Sequence, residues 1–81
     1  MSLEDLEASC LQCQRCELAK ERKHVVVSRG HPSARLMVIG EAPGADEDAQ
    51  GRPFVGRSGR LLDACLPEVG LDQADDIYIC N

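Results

Sequence analysis

Apolar positions along this chain switch between helical and strand spacing, and each switch marks an element. Leu3, Leu6, Cys10 and Cys13 recur at helical spacing behind Ser2, whose hydroxyl can cap a first turn, so a helix that loosens near Cys13 is expected. Val25-Val26-Val27 is β-branched and bounded by Ser28, Gly30 and Pro32, which predicts a short strand. Ala34–Gly40 carries the apolar run Leu36–Ile39 and ends in Gly, the pattern of a parallel strand buried on both faces. Ala42–Gly56 reads as loop. Ser58 is then expected to cap a second helix that presents Leu61, Leu62, Cys65, Leu66 and Val69 on one face. Pro67 should kink or end that helix, and Gly70 suits its C-terminal stop. Ile77–Cys80 begins a further strand, followed by Asn81. A strand, a crossover helix and a second strand predict a right-handed βαβ unit, so the expected class is α/β.

Composition sharpens this picture little. At 81 residues the chain makes at most one small domain, of a size at which a single core is marginal. Hydrophobic content is 43%, but there is one Phe, one Tyr and no Trp, so a core must rest on Leu, Val, Ile and Ala. No apolar run approaches the ~20 residues of a membrane span, and the N-terminus lacks the basic-then-apolar order of a signal peptide. The expectation is no membrane association and a cytoplasmic location. A chain that stops inside an apolar strand is expected to be part of a longer domain.

Charge changes the picture through its distribution. The net charge of −5 argues against a polyanionic partner, yet all nine Lys and Arg lie between Arg15 and Arg60, alongside only six acids. The middle of the chain is therefore basic and both ends are acidic. This permits a nucleic-acid partner without requiring one.

Five cysteines without an export signal speak against a disulfide framework. Cys10, Cys13 and Cys16 open like a bacterial ferredoxin run, but the position of its fourth cysteine is Lys20. Cys65 and Cys80 do not form the second C-x2-C pair of a four-cysteine zinc site. The spacing supports half a metal site, Cys13 and Cys16, or else a pair of reduced surface thiols. Cys10 on the first apolar stripe and Cys65 on the second read as core residues.

The most informative segment is Gly40–Gly59, where the apolar run delivers the chain into a loop holding Glu41 and Phe54 among Pro43, Gly44, Gly51, Pro53 and Gly56. Open α/β sheets place ligand pockets outside the carboxyl ends of their strands. Gly51–Ser58 has the spacing of a phosphate-binding loop but carries Arg57 where Lys is required, and the acidic segment Pro43–Asp48 precedes it where a strand should. Asp46-x-Asp48-x-Gln50-Gly51 imitates a calcium loop, but its twelfth position, which must supply a carboxylate, is also Arg57. What the loop does suit is a pocket for a flat, polar, uncharged ligand, of which a nucleobase extruded from a duplex is one. Phe54 could stack on the base and Asn81 could read its edge, with backbone N–H groups at Glu41 and Ala42 bonding its carbonyls. Glu41 could position water and favour a cationic sugar, with Glu47 and Asp48 as possible helpers. The plainer roles are core for Phe54, turn former for Asn81 and solvated loop charges for the acids.

Cys13-x-x-Cys16-x-Leu18, Arg22 with Val25-Val26, Ala34–Ile39, Gly40–Gly59 and Tyr78-Ile79 with Asn81 together resemble, in register, the type-4 or iron–sulfur uracil-DNA glycosylases. The resemblance implies a three-layer α/β/α fold with a central parallel sheet, of which residues 1–81 would be the N-terminal portion of a single domain. It implies a DNA-repair enzyme that hydrolyses the N-glycosidic bond of uracil in DNA, acting as a monomer on uracil-containing DNA. Its site would use Glu41 catalytically and Glu41, Ala42, Pro43, Phe54 and Asn81 to bind uracil. Cys13 and Cys16 would be two of four ligands to a [4Fe–4S] cluster, the other two lying beyond Asn81. The family's His-containing second motif has no counterpart here, since His24 and His31 lie in the wrong region, so this chain alone is expected to be inactive. A non-catalytic or covalent uracil-DNA binder of the same fold is a second reading. A small C-x2-C metal or redox module is a third, and it leaves Gly40–Gly59 unexplained.

Overall fold

Ile77 and Ile79 are fully buried, and the strand that carries them organises the fold. The computed structural model describes residues 2–81. Its elements are α1 (Leu3–Leu11), β1 (Ser28–Gly30), β2 (Leu36–Ile39), α2 (Ala45–Gln50), α3 (Arg57–Cys65) and β3 (Ile77–Cys80), with 3-10 turns at Glu17–Lys20 and Leu66–Val69. The sheet order is β1-β3-β2. β2 pairs in parallel with β3, Leu36 opposite Ile77 and Ile39 opposite Cys80. The expected strand–helix–strand unit is therefore present, with α2 and α3 in the connection, and the α/β class is borne out.

The sheet is mixed, not wholly parallel. β1 runs antiparallel to β3, with Ser28 opposite Cys80 and Gly30 opposite Tyr78. Parallel neighbours need a crossover of about a dozen residues or more, and only His31–Arg35 separates β1 from β2, so the chain must reverse direction. Pairing also begins after the valine triplet, and Val27 contributes only its carbonyl, which accepts from the Asn81 N–H at 3.4 Å. Gly30 has φ +96° and no side chain because a Cβ there would run into the Ile77 carbonyl.

Leu66, Ile77 and Ile79 form the core, and Val38, Phe54, Leu62 and Leu71 pack against it. From α3, Leu62 packs into this core with Leu66 just beyond the helix, and the buried Gly59 rests on the Phe54 backbone. The neighbouring stripe points away, leaving Leu61 66% exposed, Val69 71% exposed and Cys65 exposed. The core role expected for Cys65 is thus overturned. The same correction applies to Cys10, which is half-buried on a helix with no buried residue. α1 is held by its own cap instead, with the Asp5 N–H donating to Ser2 Oγ at 3.1 Å and the Ser2 N–H donating to Asp5 Oδ2 at 3.3 Å. β2 is an edge strand, so Met37 and Ile39 are exposed where burial on both faces was expected.

α2 lies inside the segment expected to be loop. Asp46, Glu47 and Asp48 occupy its first turn, where the helix dipole favours anions, and Gly51 closes it in a left-handed cap at φ +75°. α3 starts from Gly56, not Ser58, and its end is marked as expected by Pro67 and by Gly70 at φ +79°. Among the described residues no helix is long and apolar enough to cross a membrane.

Candidate functional site

β2 and β3 end side by side, the Gly40 N–H donating to the Cys80 carbonyl at 2.8 Å. A Cβ placed on Gly40 would lie 2.5 Å from Asn81 Oδ1 and 2.8 Å from Phe54 Cε2. Gly40 therefore leaves the room in which an aromatic ring and an amide meet at the strand ends. Glu41 follows directly, exposed, and its carboxylate has no hydrogen-bond partner among the described residues. Ala42 and Pro43 turn elsewhere. With Leu18, Arg22 and His24 they line a cleft of about 840 Å³ between the loop and the Glu17–Lys20 turn, and neither Glu41, Phe54 nor Asn81 borders it. The five expected uracil-binding residues are thus divided between a rim and an adjoining cleft.

Phe54 adopts φ +55°, the left-handed region that aromatic residues rarely occupy. Such a conformation persists only where its surroundings impose it. Glu47 supplies part of that constraint: Oε2 accepts from the Val55 N–H at 2.8 Å and the Gly56 N–H at 2.7 Å, while Oε1 accepts from the Gly44 N–H at 3.0 Å. The Gly56 N–H above all holds the Glu47 carboxyl below the usual range; burial opposes it as the next largest effect, and the Val55 and Gly44 N–H groups add to the lowering. Glu47 is an anion built into the loop, committed to these bonds. Asp48 is committed likewise: Oδ1 accepts from the Lys23 N–H at 2.7 Å and the His24 N–H at 3.1 Å, and these bonds, His24 first, lower its pKa. His24 Nδ1 lies 2.7 Å from the Asp48 carbonyl, an acceptor, so Nδ1 is the nitrogen that carries hydrogen.

A carboxylate whose pKa is depressed in the fold contributes stability that is present above the usual carboxylate range and is lost as pH falls through the depressed value. Glu47→Gln should therefore cost about 1–2 kcal/mol at neutral pH, because the one amide oxygen can keep only the Val55 and Gly56 bonds, now neutral, and the amide NH2 cannot accept from the Gly44 N–H. It should also leave a shallower acid-side loss of stability than the unmodified protein shows. Thermal melts from neutral to acid pH check both parts; parallel acid limbs would mean that Glu47 titrates as an ordinary surface acid.

Arg29, counted in the sequence only as charge, is the residue that sequence reasoning missed. Its side chain is 6% exposed and pairs with Asp63 Oδ1 at 2.9 Å. Nε donates to the Pro53 carbonyl at 2.8 Å, Nη2 to the Phe54 carbonyl at 3.0 Å and Nη1 to Gln73 Oε1 at 3.1 Å. The only sequence signal was an Arg two residues beyond the β-branched run, at a position that proves to be a strand.

Cys13 is half-buried and Cys16 exposed, just beyond α1, and Arg22 Nη2 donates to the Cys13 carbonyl at 2.6 Å, tying this segment to the chain that enters the sheet. Among the described residues no group of three or more His, Cys, Asp or Glu gathers as a metal site. Two soft thiol donors at two-residue spacing fit one half of an iron–sulfur ligand set, and a complete set needs two more.

The family model of the uracil DNA glycosylase superfamily matches residues 27–81. The type-4 uracil-DNA glycosylase of Archaeoglobus fulgidus is 41% identical over 80 residues, covering 99% of this chain and 40% of the relative. That of Thermotoga maritima is 47% identical over 70 residues, 86% of this chain and 36% of the relative. That of Pyrobaculum aerophilum is 42% identical over 81 residues, 100% of this chain and 41% of the relative. The chain thus spans about two fifths of the length of these curated relatives.

Proposed function

The chain belongs to the uracil-DNA glycosylase superfamily, and from that premise we propose that it supplies part of the base pocket of an enzyme that excises uracil from DNA. The observation that carries this reading is the convergence of the Phe54 ring and the Asn81 amide over Gly40 at one rim of the sheet. In this reading uracil leaves the base stack, lies against Phe54, and presents its O4 and N3–H edge to Asn81. Backbone N–H groups of Glu41 and Ala42 bond its carbonyls, with Pro43 shaping the wall. Glu41 orients a water toward the sugar C1′ and stabilises the positive charge that develops as the bond to uracil N1 breaks and the base departs as an anion. The exposure of the Glu41 carboxylate and its freedom from side-chain partners support that assignment. The basic middle of the chain supports DNA as the partner.

Cys13 and Cys16 are the residues of this chain that would hold a [4Fe–4S] cluster, with two thiolates from a longer chain. When bound, the group supplies a cross-link between this segment and those thiolates. Replacing Cys13 or Cys16 by Ser in the full-length protein should abolish the visible cluster absorbance, whereas Cys10→Ala and Cys65→Ala should keep it. Loss of colour in Cys10→Ala would move the ligand set toward the N-terminus.

The function itself is tested by incubating the full-length protein with a single-stranded oligonucleotide containing one uracil. Free uracil and an abasic site are expected. A protein–DNA adduct, or tight binding without release, would overturn the enzyme reading in favour of a uracil-DNA binder.

A further inference from the structure

We propose that Arg29 is the positioning residue for Phe54: its buried guanidinium holds the loop backbone in the one conformation that sets the ring over Gly40 and beside Asn81. This rests on the reading of Phe54 as the residue that stacks on the base. In extended chain, successive carbonyls point to opposite sides. Here the Pro53 and Phe54 carbonyls both face one guanidinium, bonded to Nε at 2.8 Å and to Nη2 at 3.0 Å. Bridging both carbonyls from one rigid edge requires the chain to turn between them, and Phe54 at φ +55° is that turn. Asp63 on α3, 2.9 Å from Nη2, fixes the guanidinium and makes its burial tolerable.

The rest of the loop has no substitute for this grip. Glu47 takes the N–H groups of Val55 and Gly56, on the far side of Phe54, and leaves both carbonyls to Arg29. Pro53 is fully buried and contributes no N–H. Without Arg29 the peptide plane before Phe54 loses its anchor and the plane after it is held only through the Val55 N–H by Glu47, so Phe54 can relax to φ < 0, which swings the ring away from Asn81. Lysine cannot replace it, because a single ammonium presents no pair of donors in a fixed plane.

The test is a double-mutant cycle in the full-length protein, using R29K, F54A and the two combined. R29K should raise KM for uracil-containing DNA about tenfold, as F54A does, with a smaller change in kcat. The double variant should be no worse than F54A alone, because the ring that Arg29 positions is already gone. Additive losses, or an unchanged KM in R29K, would overturn the proposal. Amide hydrogen exchange across residues 53–57 supplies a readout that needs no activity. R29K should speed exchange of Val55 and Gly56 at least tenfold with the β3 amides unchanged, and unchanged exchange in the loop overturns the proposal even if the protein releases no uracil. If R29K does not fold, D63N, which loosens the guanidinium but keeps its donors, should show the same two effects in weaker form, and their absence there is equally decisive.

Discussion

Gly59→Ala is expected to lower the stability of the folded protein by about 3 kcal/mol or more, despite the better helix propensity of alanine. Gly59 is the buried residue of α3, and a Cβ there would overlap the carbonyl carbon and oxygen of Phe54. Both partners are backbone, so no flexible side chain can yield. The same contact seats α3 on the loop, so the substitution should also displace Phe54. Gly70→Ala is the natural comparison: it meets nothing within 4 Å, and only its φ of +79° opposes it, for about 1 kcal/mol. Denaturant titrations of the two variants compare these directly. Equal losses would mean that α3 does not rest on the Phe54 backbone.

Glu41→Gln is expected to slow uracil release by about 10²–10⁴-fold, while affinity for uracil-containing DNA changes far less. The amide keeps the size of the side chain and can still accept from water. It removes the negative charge that would face the cationic sugar and the group that would take up a proton. Single-turnover release and equilibrium binding, measured on the same protein preparation, separate the two effects. A variant that cleaves at the original rate would return Glu41 to the ordinary solvated charges of a loop.

The strands and caps that depend on local pattern were legible in the sequence. Leu36–Ile39 and Ile77–Cys80 pair as expected, and Ser2, Pro67 and Gly70 act where their chemistry puts them. Family membership was legible too, through the register of the Gly40–Gly59 segment with its flanking motifs, and the superfamily match and the type-4 relatives bear it out. What failed depended on where other elements lie. Periodicity gave α3 and the turn after it one broad apolar face, but only Leu62 and Leu66 of that face reach the core, and Leu61 and Cys65 face solvent. The acids of residues 46–48 read as loop charges because nothing local shows that Glu47 closes on Val55 and Gly56 or that Asp48 closes on Lys23 and His24. Arg29 was invisible for the same reason: its partners lie 24 to 44 residues away along the chain.

The site shows the same division. That Gly40, Glu41 and Asn81 would share a rim was readable from two strand ends, whereas Phe54 could be placed only in the loop that follows. That Ala42 and Pro43 would instead border a roomier cleft was not, because the cleft's other wall is the Glu17–Lys20 turn. Rim and cleft are adjoining surfaces, and the rim is the proposed uracil site. The most direct test is a crystal structure of the full-length protein soaked with free uracil. The uracil ring is expected to stack on Phe54, with its edge within hydrogen-bond distance of Asn81 and its carbonyls facing the Glu41 and Ala42 N–H groups. Uracil lodged in the cleft between Leu18 and Pro43, with the Phe54 ring turned wholly into the core, would contradict it.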